Sequence, residues 1–302
     1  MITRSLTPDV FFTDALPLLE EIIFSTLESY PDIITKIANV RQGTGWGTQM
    51  TEQSGTGPVV SIAEGAPVTY DDIVQGADTT FTFTKFGLGV IITEEMIDDQ
   101  KYDQAGDIYR GLGASMHHTR QVDFMNNFNN GFTTNGYDGT PLCSTTHPLI
   151  KAGGNENNRP ATDVDLSVAG LRTALTDISG TLSHEGLRIY LKPKTLLVAS
   201  ANIYDAHELL KSDYRPGTAN NDVNAFTMFG LEYVMSEYLT DADAWFILCD
   251  KSQHRLMWYD RKMPEVKSFE DFDAGALKTK ITSRWDTGHA SWFGIYGTTG
   301  AP

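Results

Sequence analysis

The stretch IDDQKYDQAGDIYRGLGASMHHTRQVDFMNNFNN, Ile97 to Asn130, decides the architecture of this 302-residue chain. Apolar or small residues recur at Ala105, Ile108, Leu112, Met116, Thr119, Val122, Met125, Phe128 and, just beyond, Phe132. Steps of three and four put them on one side of a helix. Asp107, Arg110, His117, Gln121 and Asn127 fall on the other side, which is expected to be wet. Thr93 before Glu94 and Glu95 supplies a hydroxyl cap and two first-turn acids, as the helix dipole favours. At roughly 1.5 Å per residue the segment would span about 50 Å, enough to cross a domain. It is a strut.

Gly106, Gly111 and Gly113 interrupt it, each at a cost of about 1 kcal/mol relative to Ala. Packing must recover that loss. The glycines fit either a neighbouring backbone in close contact or a helix that bends.

On the N-terminal side, Thr7-Pro8-Asp9 opens a first helix through Leu18, Leu19, Ile22, Ile23 and Leu27, divided at Pro17 and stopped before Tyr30-Pro31. So apolar an arm, with Phe11 and Phe12 near its start, calls for a partner surface. From Ile33 strand and loop are expected, and Gly43 to Gly47 with Gly55 and Gly57-Pro58 excludes helix. Val59, Val60 and Ile62 on one arm and Thr80 to Thr84 on the other predict a long two-stranded flap. Pro67 to Asp78, holding Tyr70, Ile73 and Val74, forms its irregular tip. A two-stranded ribbon is marginal alone, so this flap is expected either to lie on something else or to fold back onto its own core.

Beyond the strut, Asn126 to Tyr137 and Lys151 to Thr162 are loops. Asp165 to Ser179 predicts a helix capped by Asp163 or Asp165. Strands are expected at Leu187–Leu191, Thr195–Ala199, Glu232–Glu237 and Ala244–Leu248, with a helix at Asn202–Lys211. That mixture makes a compact α+β or α/β subdomain. The last part is extended: Met257 to Tyr259, Glu265 to Phe269, Leu277 to Trp285 and Ser291 to Tyr296. Lys278, Lys280, Thr282 and Arg284 alternate with Leu277, Thr279, Ile281 and Ser283, the pattern of a strand with one wet face.

Bulk properties exclude several classes. With 40% hydrophobic and 21% charged residues the chain folds rather than staying disordered. Net charge is −16 and no run of Lys and Arg occurs, against a surface that tracks phosphates. Cys143 and Cys249 form neither a disulfide framework nor a zinc site. Met1 to Phe12 lacks a signal-peptide pattern and no apolar run could span a membrane, so a cytoplasmic, reduced, soluble product is expected.

Catalytic motifs fail one by one. His207-Glu208-Leu209-Leu210-Lys211 lacks the second His of a zinc-protease helix. His117 and His118 are adjacent and point apart. Gly87-Leu88-Gly89 and Gly111-Leu112-Gly113 lack the third glycine of a dinucleotide loop. Asp271, Asp273 and Gly275 have no matching Glu for a calcium loop. Cys143 and His147 remain as a thiol–imidazole pair of a cytoplasmic α+β hydrolase, an alternative that needs the right geometry. No cofactor and no metal is expected.

Three patterns carry a family resemblance. They are Ile91-Ile92-Thr93-Glu94-Glu95-Met96-Ile97-Asp98-Asp99, then Asp138-Gly139-Thr140-Pro141-Leu142 through Thr146-His147-Pro148 to Ala244-Trp245-Phe246-Ile247-Leu248. The third runs from Phe272 through Arg284-Trp285 to Trp292-Phe293-Gly294-Ile295-Tyr296. In that order, over nearly the whole chain, the sequence resembles the major capsid proteins of tailed bacteriophages, Mu-like head subunits among them. The resemblance implies an α+β, HK97-type fold: N-arm 1–52, extended two-stranded E-loop 53–92, P domain 93–160 and 252–288 with a long spine helix and β ribbon, and A domain 161–251 and 289–302. It implies self-assembly into hexamers and pentamers of an icosahedral head, with portal and scaffold or head-completion proteins as partners. Double-stranded DNA would be enclosed rather than read, in a virion whose subunits are made in the host cytoplasm. Pro67, Tyr70, Ile73, Val74, Phe11 and Phe12 would be assembly residues. The flap's only lysine, Lys85, lies away from its tip, a departure from members that crosslink through an E-loop lysine. The short N-terminal region implies a separate scaffold or prior processing. An encapsulin-type compartment is the alternative with the same fold.

Overall fold

In the computed structural model, the described residues are 20–99, 101–212, 214, 223–271 and 275–300. Helix α1 occupies 20–29 and ends before Tyr30-Pro31, while the expected Thr7 start, Pro17, Phe11 and Phe12 lie outside the described residues. Ile33 does not begin a strand. Asp32 caps a one-turn helix, α2 (Ile33–Ile37), by accepting from the Ile34 N–H at 3.0 Å.

The strut is two helices, α3 (Glu94–Asp98) and α4 (Tyr102–Asn129). Its break falls at 99–101, not at a glycine. The expected wet side is partly dry: His117 and Gln121 are buried, and Tyr109 and Phe124 join the core. The reason is a second layer that helical periodicity cannot register. Tyr30 stacks on the His117 ring at 4.9 Å, and Gln121 donates to Asp32 at 3.1 Å. Only one glycine has a packing role: a Cβ on Gly113 would meet the Ile23 carbonyl oxygen at 2.8 Å, whereas Gly106 and Gly111 face open space.

Under α4 lies a four-stranded sheet, ordered β1 (Asn39–Gln42), β10 (Leu256–Asp271), β11 (Ala276–His289), β4 (Thr84–Thr93). The extended pieces expected at 257–259 and 265–269 are one strand, bent at irregularities between Asp260 and Glu265. Polar bolts fix the helix to it. Arg120 forks onto Asp260 at 2.9 and 3.2 Å with its guanidinium over Trp258 and Trp285, and the Trp285 indole donates to Asp123 at 2.7 Å.

The second sheet runs β12 (Ile295–Thr298), β9 (Trp245–Cys249), β7 (Pro193–Ala199), β8 (Glu232–Ser236). Helices α5 (Val168–Gly180) and α6 (Ile203–Lys211) supply the apolar residues packed on one face. Trp245, Ile247 and Cys249 point to that layer, while Phe246 and Leu248 point into the core shared with α4. Burial on both faces explains the unbroken apolar run of β9. Two expectations fail here. Leu187–Leu191 is not a strand, and α5 is capped by the Ser167 hydroxyl, which accepts from Gly170 N–H at 3.1 Å. Asp163 instead pairs with Arg159.

A two-stranded ribbon, β2 (Gly47–Gln53) with β3 (Gln75–Thr82), projects the flap, and residues 54–74 form its irregular loop. Val59, Val60 and Ile62 therefore belong to the loop rather than to an arm, and β2 takes the arm's place. The small β5 (His147–Pro148) and β6 (Asn155–Glu156) pair beside it. Among the described residues no helix is long and apolar enough to cross a membrane.

Candidate assembly surface

The one candidate pair for catalysis does not meet. Cys143 is fully buried, and burial pushes its thiol far above the ordinary range, so no thiolate forms. His147 is occupied elsewhere. Its Nδ1 lies 2.7 Å from Asp138 Oδ2 and 2.9 Å from Thr140 Oγ1, its Nε2 lies 3.0 Å from Asn158 Oδ1, and its ring stacks on Trp292. Burial alone would raise the Asp138 carboxyl, but hydrogen bonds from His147 and Thr140 outweigh it and hold it low.

Asn158 is a residue that sequence reasoning missed. Only 4% exposed, it donates to Leu142 O at 2.7 Å and Ile295 O at 3.0 Å, and its Oδ1 accepts from Ser144 N–H at 2.8 Å. It ties the 138–149 loop to β12. The family-like stretch around Thr146-His147-Pro148 is thus a structural knot. Among the described residues no group of His, Cys, Asp and Glu could hold a metal ion, and Asp273 lies outside them.

The flap carries what the sequence singled out. Tyr70 is 93% exposed and Val59 fully so, with Val60, Ile62, Pro67, Val68, Ile73 and Val74 exposed around them. Large apolar side chains this exposed and this close in sequence are uncommon on a subunit that works alone. Between residues 53 and 84 stand Glu64, Asp71, Asp72 and Asp78 and no basic residue. The flap is therefore apolar and acidic.

Its root is gripped from two sides. On β2, buried Glu52 accepts from Ser291 Oγ at 2.9 Å and Tyr137 OH at 3.3 Å, with His184 Nε2 3.1 Å away. On the return side Lys151 bonds Asp71 at 2.7 Å and lies 3.1 Å from Glu185.

A second surface is visible only through strand register. On β11 the residues facing away from α4 are Lys278, Lys280, Thr282 and Arg284. Lys280 stands opposite Lys267, and Arg284 stands between Lys262 and Lys85. Like charges directly opposite destabilise a sheet. Six cations thus share one face with Glu265, which pairs with Lys262 and Lys267, and with Asp271, which pairs with Lys278. Exposed Phe269 and Ile91 flank Lys278 in the same row. No run of Lys and Arg marks this face in the sequence, because its residues are scattered along the chain and gathered by strand pairing. In an acidic protein this patch is apolar and basic, the complement of the flap. A third surface, the rim of the second sheet, exposes Tyr204, Val223 and Met228 beside a groove of about 380 Å³ lined by Val168, Leu175, Phe226 and Phe229.

The family description "Phage capsid protein" matches residues 76–297. No curated protein sequence matches the chain. Among solved structures it is similar to a chain of the procapsid of bacteriophage JBD30, at 17% identity over 100% of this chain and 77% of that one, with a TM-score of 0.52. It is also similar to a chain of the head of Helicobacter pylori bacteriophage KHP40, at 11% identity over 89% and 91%, with a TM-score of 0.56. A virus-like particle from Pyrococcus furiosus aligns at 8% identity over 94% and 99%, with a TM-score of 0.53. At these identities the likeness is one of fold.

Proposed function

Because the chain belongs to the phage capsid protein family, with the HK97-type fold and a structural role in the virion, we propose that its copies form the hexamers and pentamers of an icosahedral head. The head would enclose double-stranded DNA and be completed by portal and scaffold or head-completion proteins, the subunits being made in the host cytoplasm. The proposal assigns the chain no reaction.

The observation that carries the proposal, beyond family membership, is the flap. Its loop exposes seven large apolar residues, Val59, Val60, Ile62, Val68, Tyr70, Ile73 and Val74, which the described residues leave bare or only partly covered. A second copy would cover them, with Pro67, Tyr70, Ile73 and Val74 at the contact and Phe11 and Phe12 of the N-arm joining from outside the described residues. The basic face of the β4–β11–β10 sheet offers complementary charge for the acidic flap. The E-loop, N-arm, P domain and A domain follow the boundaries implied by the resemblance, except that the pairing of β2 with β3 supports starting the E-loop at residue 47. Helix α4 with β10 and β11 would be the P domain, β1 and β4 completing its sheet from the N-arm and the E-loop, and the second sheet would be the A domain.

The purified chain is expected to form closed shells visible by electron microscopy. Replacing residues 58–70 with a short Gly-Ser linker should leave a folded subunit that forms none. Dispersed wild-type monomers at high concentration would refute the proposal. The near full-length likeness in fold to the virus-like particle from Pyrococcus furiosus keeps a protein compartment as the second possibility, and shells that hold a cargo peptide and no DNA would establish it.

A further inference from the structure

The flap loop is closed at a neck. Asp71 Oδ2 accepts from the Gly57 N–H at 2.6 Å, so residues 58–70 form a loop whose ends meet. That neck is held to the body by one ammonium. Lys151 Nζ donates to Asp71 Oδ1 at 2.7 Å and to the Asp72 carbonyl at 2.9 Å, and it lies 3.1 Å from Glu185 Oε1. The lysine is itself anchored, since the backbone N–H groups of Lys151 and Ala152 both donate to His184 O, at 3.1 and 2.9 Å. Its neighbour Ile150 grips the other return residue: a Cβ on Gly76 would lie 2.5 Å from Ile150 Cδ1. Among the described residues, Lys151 makes the side-chain hydrogen bonds that join loop 54–74 to the rest of the subunit.

We propose that the Asp71–Lys151–Glu185 clasp is a positioning strap that fixes the flap loop in its presenting orientation before a second copy arrives, so that efficient assembly depends on it. The inference rests on the shell-forming role proposed above. With the clasp closed, the apolar residues beyond the neck stay exposed, so the strap does not hide the contact surface. It aims that surface. Ordering a loop in advance removes the conformational cost from the association step. The lysine–carboxylate bond holds Asp71 below the ordinary carboxylate range, so the pair is ionised at neutral pH. Such pairs weaken as salt screens them.

The test compares wild type with Lys151→Met and Lys151→Arg in two measurements. Hydrogen exchange on unassembled subunits should show the neck amides, Gly57 bonded to Asp71 and Ser54 and Val74 bonded to each other, exchanging at least tenfold faster in Lys151→Met, with the arginine variant near wild type. Light scattering should show Lys151→Met needing several-fold more protein before shells appear, again restored by arginine. Molar salt should bring wild type toward the methionine variant. Unchanged exchange, or an unchanged onset of assembly in Lys151→Met, would overturn the strap. Thermal unfolding of the body should not move, and a large drop there would also count against it. If wild type forms no shells at all, the shell-forming role fails instead, and the exchange measurement still decides whether the clasp orders the loop.

Discussion

Replacing Asn158 with leucine should damage the subunit more than replacing it with alanine, the reverse of what hydrophobic burial alone predicts. The Asn158 side chain joins four partners: the buried carbonyl oxygens of Leu142 and Ile295, buried His147 Nε2, and the half-buried Ser144 N–H. Leucine has the same branched skeleton but bulkier methyl groups, so it strands all four and crowds the site, leaving no room for water. At roughly 1 kcal/mol per stranded group, and up to about 3, the loss is on the order of 4 kcal/mol. That is a large part of a total stability of about 5–15 kcal/mol. Alanine opens a small polar space that one water can enter and partly satisfy, for a loss of about 2 kcal/mol. Urea unfolding below the assembly concentration measures both, and Trp292, stacked on His147 at 4.6 Å, is a local fluorescent reporter. With a slope near 3 kcal/mol per molar urea, the leucine variant should unfold about 1.3 M earlier. If leucine costs under about 1 kcal/mol, or less than alanine, the knot does not hold these segments together.

The remaining expectations concern pH, helix glycines and thiols. Burial pushes His254 down to about 4 and His289 likewise, so the unfolded chain, near 6.5, binds protons that the native state refuses. Stability is complete above pH 6.5 and falls as pH drops toward 4, by about 3 kcal/mol for His254, and denaturant midpoints across that range check it. Below that window Asp138 adds a further loss, because its lowered carboxyl must take up a proton. Gly111→Ala, facing open space, should raise thermal stability by about 1 kcal/mol, while Gly113→Ala should lower it by driving α4 away from the Ile23 carbonyl. Both cysteines are buried, with the Cys249 thiol pushed up to about 12, so thiol reagents should label neither until the protein unfolds. Rapid labelling of Cys143 in the native state would revive a reactive thiol.

What could be read from residues alone was whatever local chemistry dictates. The acids after Thr93 mark a helix start, Tyr30-Pro31 marks a stop, and the alternation on β11 marks its wet face. What could not be read depends on contacts between distant segments. His117 and Gln121 look wet until Tyr30 and Asp32, in the link between α1 and α2, lie over them. β2, with the sequence GTQMTEQ, carries no strand signature because its key burial, at Glu52, is polar. Val59, Val60 and Ile62 imitate a strand although they stay largely exposed on the loop rather than packing as a strand arm. The basic face needs three strands in register before Lys85 meets Arg284 and Lys262, residues about 200 positions apart in sequence. Asn158, a polar letter in a loop, gives no signal until its four partners are in place.

Phe83, the single residue between β3 and β4, has a mechanical consequence. Its ring lies directly against Gly43, just before the flap's outgoing strand, and beside Tyr259 of the sheet. Both legs of the flap thus pass one aromatic axle, and on the far side β4 runs without interruption into the first residue of α3. Because β4 is paired with β11 from Thr84 to Thr93, the sheet is a fixed footing and a swing of the flap is expected to pivot at that axle rather than to bend the strand behind it.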